Sequence, residues 1–129
     1  MRTEAEVDRF TWRSSFDGDA VMRIGRQGDE ITLRCVYRFS VFGDADRRRV
    51  SLTMSDWGRL QDALIAASFW ALDPEELRLG LDGSDWLIEG CRKDIYRAVS
   101  RWSPDGAIYD LGSLFFELAG SPLAEVRIY

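Results

Sequence analysis

Asp82, Asp85 and Glu89 fall within one short stretch, "DGSDWLIEG" (residues 82–90), and carboxylates at this density can hold a divalent cation or act as an acid and a base. A metal-dependent hydrolase is the chemistry such a trio would serve. The spacing lacks the pattern of a calcium-binding loop. Asp82-Gly83 also reads as a turn entering a strand. A glycosidase would need two carboxylates at a defined separation across a sugar cleft, and nothing in the sequence marks one.

Other chemistries are excluded more firmly. The chain contains no histidine, which removes the usual general base and the commonest metal ligand. Its two cysteines, Cys35 and Cys91, form no Cys-x-x-Cys pair. Neither a Ser–His triad nor a Cys–His dyad is available. No glycine-rich phosphate loop occurs. No catalytic residue, metal or cofactor is expected for this chain.

With 129 residues, 46% of them hydrophobic and 30% charged, the sequence fits one domain over residues 1–129. The net charge of −5 argues against nucleic acid and favours a basic protein partner through long-range attraction. The single basic run, Arg47-Arg48-Arg49, reads as a solvated strand edge. No stretch approaches the roughly 20 apolar residues that span a bilayer. The opening "MRTEAEVDRF" has no apolar signal region, so a cytoplasmic setting with both thiols reduced is expected.

The elements that must position these residues follow from periodicity. Phe10, Trp12 and Phe16 lie on one side of a first strand, and Met22 and Ile24 on one side of a second. "RQGD" marks a turn. Ile31, Leu33, Cys35, Tyr37, Phe39 and Val41 then alternate with Arg34 and Arg38, the pattern of a sheet with one wet face. Val50, Leu52 and Met54 continue inward in a fourth strand. At Ser55 the period changes to a helix, with Ser55 as cap and Trp57, Leu60, Leu64 and Ala67 on one stripe, ending near Phe69-Trp70. Residues 71–83 form a longer connection that can hold a short helical turn after Pro74. Two further strands follow, then a helix from "SPDG" carrying Ile108, Leu111, Phe115 and Leu118. Gly120 and Pro122 stop it, and "EVRIY" suggests a last short strand. The fold expected is α+β: an antiparallel sheet of about six strands in the order ββββ-α-ββ-α, with two helices packed on one face.

"DWLIEGCRKDIYRAVSRW" (85–102) is the last hairpin. A three-residue loop at 92–94 would set Glu89 opposite Arg97 and Asp85 opposite Arg101, with Trp86, Ile88, Tyr96 and Trp102 turned inward. A two-residue loop would place Arg101 across from Trp86. The first register separates charge from apolar groups and is the one expected. The four charged residues then form a laced outer face, or a platform for a partner, since arginine is enriched at interfaces.

Phe69-Trp70, "DGSDWLIEG", "YRAVSRWSP" (96–104) and "LFFELAG" (114–120) resemble a widespread family of small uncharacterised bacterial proteins with a D-G-x-x-W-x-x-E-G … Y-H-x-V-x-R-W-S-P pattern. Asp56-Trp57 matches the start of that family's helix, and "RFTWRSSF" (9–16) its first strand. The resemblance implies a fold unit and carries no assigned activity. Arg97 stands where relatives often have His. Arginine cannot act as a base at neutral pH, so any chemistry of that His is missing here.

The function expected is therefore a non-catalytic protein-interaction domain. One version is an immunity-like neutralising partner of a bacterial toxin, using Trp70, Asp73, Glu76 and Trp102 against a basic site. Asp85, Glu89, Arg97 and Arg101 form the second candidate binding set. A small-molecule module, with its ligand between sheet and helices, is the alternative, and the metal-dependent hydrolase ranks below both.

Overall fold

A computed structural model describes residues 6–14, 18–39, 43–75, 83–126 and 128. Six antiparallel strands form one sheet: β1 (Glu6–Ser14), β2 (Asp19–Gln27), β3 (Glu30–Arg38), β4 (Asp46–Leu52), β5 (Ser84–Arg92) and β6 (Ile95–Trp102). Their spatial order is β4-β3-β2-β1-β5-β6. The first four strands meander to one edge. Helix α1 (Met54–Ala66) then carries the chain back, so that β5 pairs with β1, and helix α2 (Gly106–Ala119) follows β6. The expected α+β order is the observed one.

Alternation decides the two faces. Phe10, Trp12, Met22, Ile24, Leu33, Trp86 and Ile88 are almost wholly buried beneath the helices, which contribute Trp57, Leu60, Leu64, Leu111 and Phe115 to the same core. The aromatic rings interlock: Phe10 lies 4.8 Å from Trp86, and Trp12 meets Phe116 edge-on at 5.5 Å. These rings lie between sheet and helices. Among the described residues, no helix packs on the opposite face of the sheet.

Helix α1 begins earlier than expected. Thr53, rather than Ser55, is the cap: its Oγ1 accepts from the Asp56 amide at 3.0 Å, and Asp56 Oδ2 accepts from the Thr53 amide at 3.0 Å. This reciprocal box satisfies two orphan donors where Ser55 alone would satisfy one. Met54 is consequently an exposed helix residue and not the end of a strand. The helix stops at Ala66, and Phe69–Ala71 form a separate 3-10 turn. Of the closing strand expected from "EVRIY", the described residues form none. Leu123–Glu125 is a 3-10 turn, Val126 and Ile128 lie outside any strand, and Arg127 and Tyr129 lie outside the described residues. Phe16, Val41 and most of the 71–83 connection (76–82) also lie outside them, so the helical turn expected after Pro74 does too.

The arginine run in β4 is divided by the pleat. Arg47 and Arg49 point to the open face. Arg48 points to the helix side, where its Nε donates to the Ala119 carbonyl at 2.5 Å. That carbonyl belongs to the unsatisfied last turn of α2, where a cation is also favoured by the helix dipole.

Candidate interaction surface

The β5–β6 register is a correction to the sequence expectation. Lys93-Asp94 is a two-residue turn, with Lys93 in the left-handed region at φ 43°. Glu89 therefore faces Ala98, Asp85 faces Trp102, Gly90 faces Arg97 and Trp86 faces Arg101. The rule that charge avoids the helix side fails here because the connection after α1 meets edge strand β6. The Ser100 amide donates to the Pro74 carbonyl at 2.7 Å, and Glu75 bridges to Ser100. Backbone carbonyls in that connection call for donors, and Arg97 Nη2 donates to the Leu72 carbonyl. Arg101 is buried on the same side. Tyr96 and Trp102, expected inside, lie instead on the helix-free side, with Tyr96 62% exposed.

The candidate residues thus separate. Asp85, Glu89 and Trp102 belong to the open face. Arg97, Arg101 and Trp70 belong to the helix side, Asp73 is exposed in the connection, and Glu76 and Asp82 lie outside the described residues. No group of three or more metal-ligating side chains converges among the described residues. Glu89 is engaged by its neighbours: Arg9 Nη2 lies 2.7 Å from one carboxylate oxygen, and the Tyr96 hydroxyl donates to the other at 2.5 Å. The Glu89 carboxylate pushes the Tyr96 phenol above its ordinary pKa, because ionisation would break that bond and set two anions together.

Two constellations were missed in the sequence. The first is internal. Asp8, with no accessible surface, is held by Arg92 in a two-pronged pair (Nη1–Oδ1 3.0 Å, Nη2–Oδ2 2.8 Å) and receives Gln61 Nε2 at 3.3 Å. Arg92 also donates to Gln61 Oε1 at 2.8 Å, and its guanidinium lies 5.3 Å from the rings of both Trp57 and Trp70. Gly90 makes room for this cluster, since a Cβ there would stand 2.8 Å from Trp70 and 3.0 Å from Phe69. Burial raises the Asp8 pKa, with the Arg92 hydrogen bonds and charge opposing the rise. Sealed from solvent, Asp8 orders the β1–β5–α1 seam and cannot reach a ligand. The expected reading of Arg92 as a loop residue is corrected accordingly.

The second constellation crosses the open face. Arg9 sits opposite Glu89 on one side and Arg23 on the other; Arg23 sits opposite Arg34, and Arg34 opposite Arg49. Four arginines thus stand in one row over four adjacent strands, about 14 Å long at the usual inter-strand spacing. Like charges placed directly opposite each other destabilise a sheet. Arg34 and Arg49 form no ion pair among the described residues. Beside this row runs an apolar one, Leu87–Thr11–Val21–Val36, ending at Arg47. Val21 and Val36 are each 37% exposed. The next row, Asp85–Arg13–Asp19–Arg38, alternates in sign and includes an Arg38–Asp19 contact of 3.1 Å. Shallow depressions of about 250 Å³ at Arg9, Glu89 and Tyr96 and about 330 Å³ at Arg34, Arg47 and Arg49 open on this side.

The "RQGD" turn held the signal for the arginine row. A two-residue turn at Gly28-Asp29 pairs Gln27 with Glu30, and counting back sets Arg23 against Arg34. Cysteine placement follows expectation: Cys35 is buried, Cys91 lies towards the other face, and no disulfide joins them. Burial pushes the Cys35 pKa up to about 12. Iodoacetamide is therefore expected to modify Cys91 first in the native protein, with Cys35 reacting only after denaturation; mass spectrometry of the alkylated peptides reads the order.

No family model matches the chain, and no curated protein matches it.

Proposed function

We propose that this protein is a non-catalytic interaction module that engages another protein through the helix-free face of its sheet. The observation that carries this reading is the row Arg9–Arg23–Arg34–Arg49. At its Arg34–Arg49 end, two like charges stand directly opposite each other, which costs stability in the isolated molecule and gains when an anionic surface covers them. On this reading the partner presents acid at the contact, where the overall charge alone favours a basic one. The overall charge of −5 conceals a positive face. A neutralising role of the immunity type is one setting for such a module, provided the target presents acid at the contact.

Affinity capture from a native bacterial lysate tests the reading with three baits: wild type, R34E/R49E, and the helix-side control R59E. The expected result is a stoichiometric protein retained by wild type and R59E, reduced at least about tenfold on R34E/R49E, and released by added salt. Equal retention on all three baits, or no retained protein on wild type, counts against the reading.

A further inference from the structure

We infer that the occupant of the open face is an amphipathic helix with an acidic flank, laid across the strands; this rests on the interaction reading above. The argument comes from the direction of the rows. Charge and apolar character are segregated in lines that run perpendicular to the strands, about 7 Å apart, the distance of two residues along a strand. A ligand that satisfies both lines must present two parallel stripes of different chemistry. An α-helix does so, with apolar residues at i, i+3/i+4 and i+7 and carboxylates on one side of that stripe. An extended segment presents one line of side chains to a surface and covers one row at a time.

Length agrees. Three helical turns span about 16 Å, close to the length of the arginine row. Val21, Val36 and Leu87 take the apolar stripe; Arg34 and Arg49 take the carboxylates, which arginine binds in two-pronged fashion. The row on the far side, Asp85–Arg13–Asp19–Arg38, is balanced within itself, so acid is favoured on one flank of the helix only. That asymmetry fixes which way round the helix lies.

Charge complementarity also separates this occupant from others. A second copy docking face to face would offer the arginine row either itself or the balanced Asp85–Arg13–Asp19–Arg38 row, neither of them an acidic stripe. Single-stranded nucleic acid needs aromatic platforms for its bases, and the outward positions of β1–β4 carry none among the described residues; Tyr96 and Trp102 stand on β6, beyond the arginine row.

Fluorescence anisotropy with the intact protein tests the inference. The probes are a stapled, labelled helical peptide of about three turns with that two-stripe pattern, a scramble of identical composition, an oligothymidylate and inorganic polyphosphate. The patterned peptide is expected to bind at least about tenfold more tightly than its scramble. R34Q/R49Q should weaken it about tenfold, and V21S/V36S should weaken it while leaving the scramble unchanged. Circular dichroism checks that each variant remains folded. Equal affinity for peptide and scramble would reduce the face to an unspecific polyanion patch, and tighter binding of oligothymidylate or polyphosphate would replace the helix with that ligand. Should no probe bind while the lysate partner is still lost on R34E/R49E, the helix is wrong and the interaction reading stands. If both experiments are negative, the interaction reading falls as well.

Discussion

Substituting Arg92 by methionine is expected to destabilise the protein by about 3–5 kcal/mol, a fall in melting temperature of roughly 10–20 °C for a domain of this size. The loss exceeds that of an ordinary ion pair because of what remains. Asp8 has no accessible surface, and without Arg92 its carboxylate keeps only the 3.3 Å contact from Gln61 Nε2 among the hydrogen bonds described. A charge buried without its partner is far more costly than the intact pair is favourable. Removing Asp8 instead leaves a guanidinium that still donates to Gln61 and to the Cys91 carbonyl and stays between two indoles. D8A should therefore cost less than R92M, about 2–3 kcal/mol.

The pH dependence has the opposite sign from the usual carboxylate. A salt-bridged aspartate whose pKa is lowered by folding loses its contribution as pH falls. The Asp8 pKa is raised in the folded protein, chiefly by burial. The folded state then binds the proton more tightly than the unfolded chain, and the Asp8 contribution declines as pH rises from its ordinary value of 3.8 through the raised one. Arg92 opposes that rise, so R92M should widen the window and steepen the loss towards neutral pH. Urea titrations between acid and neutral pH, with D8N/R92M as the reference that cannot titrate, read the difference. A loss in R92M below about 1 kcal/mol, or one independent of pH relative to that reference, would show that the pair is not what orders the seam.

The second large effect is at Gly112. A Cβ there would stand 2.1 Å from Cζ3 of Trp86, whose ring is buried against Phe10 at 4.8 Å and stacked on Tyr109 at 5.9 Å. The indole cannot retreat, since its Nε1 donates to Ser84 Oγ at 2.9 Å and the core around it is full. G112A should cost about 3 kcal/mol, at the upper end of overpacking substitutions, although alanine is the better helix former by about 1 kcal/mol. The two contributions can be separated. W86A alone should cost about 3–5 kcal/mol through its cavity. In the W86A background G112A should change sign and stabilise by up to about 1 kcal/mol, because the steric term is gone and the helix preference remains. Additive losses in the double variant would mean that α2 does not pack on Trp86 through this glycine.

Sequence alone determined the layering of this protein. Period-two alternation in β1, β2 and β3 assigned Phe10, Trp12, Met22, Ile24, Leu33 and Cys35 to the core, and helical stripes assigned Trp57, Leu60, Leu64 and Phe115 to the cover, because burial of large apolar groups outweighs every other local preference. The order ββββ-α-ββ-α follows from where the period changes. Tertiary structure alone decided what the charges do. Arg92 and Arg97 look from sequence like solvated groups, yet they point to the helix side, where Asp8 and the Leu72 carbonyl meet them from distant parts of the chain. The same limit hid the arginine row. Each strand shows an outward arginine, but only the register of four strands lines up Arg9, Arg23, Arg34 and Arg49. Register depends on turn lengths and cross-strand contacts, which a single strand's pattern does not contain.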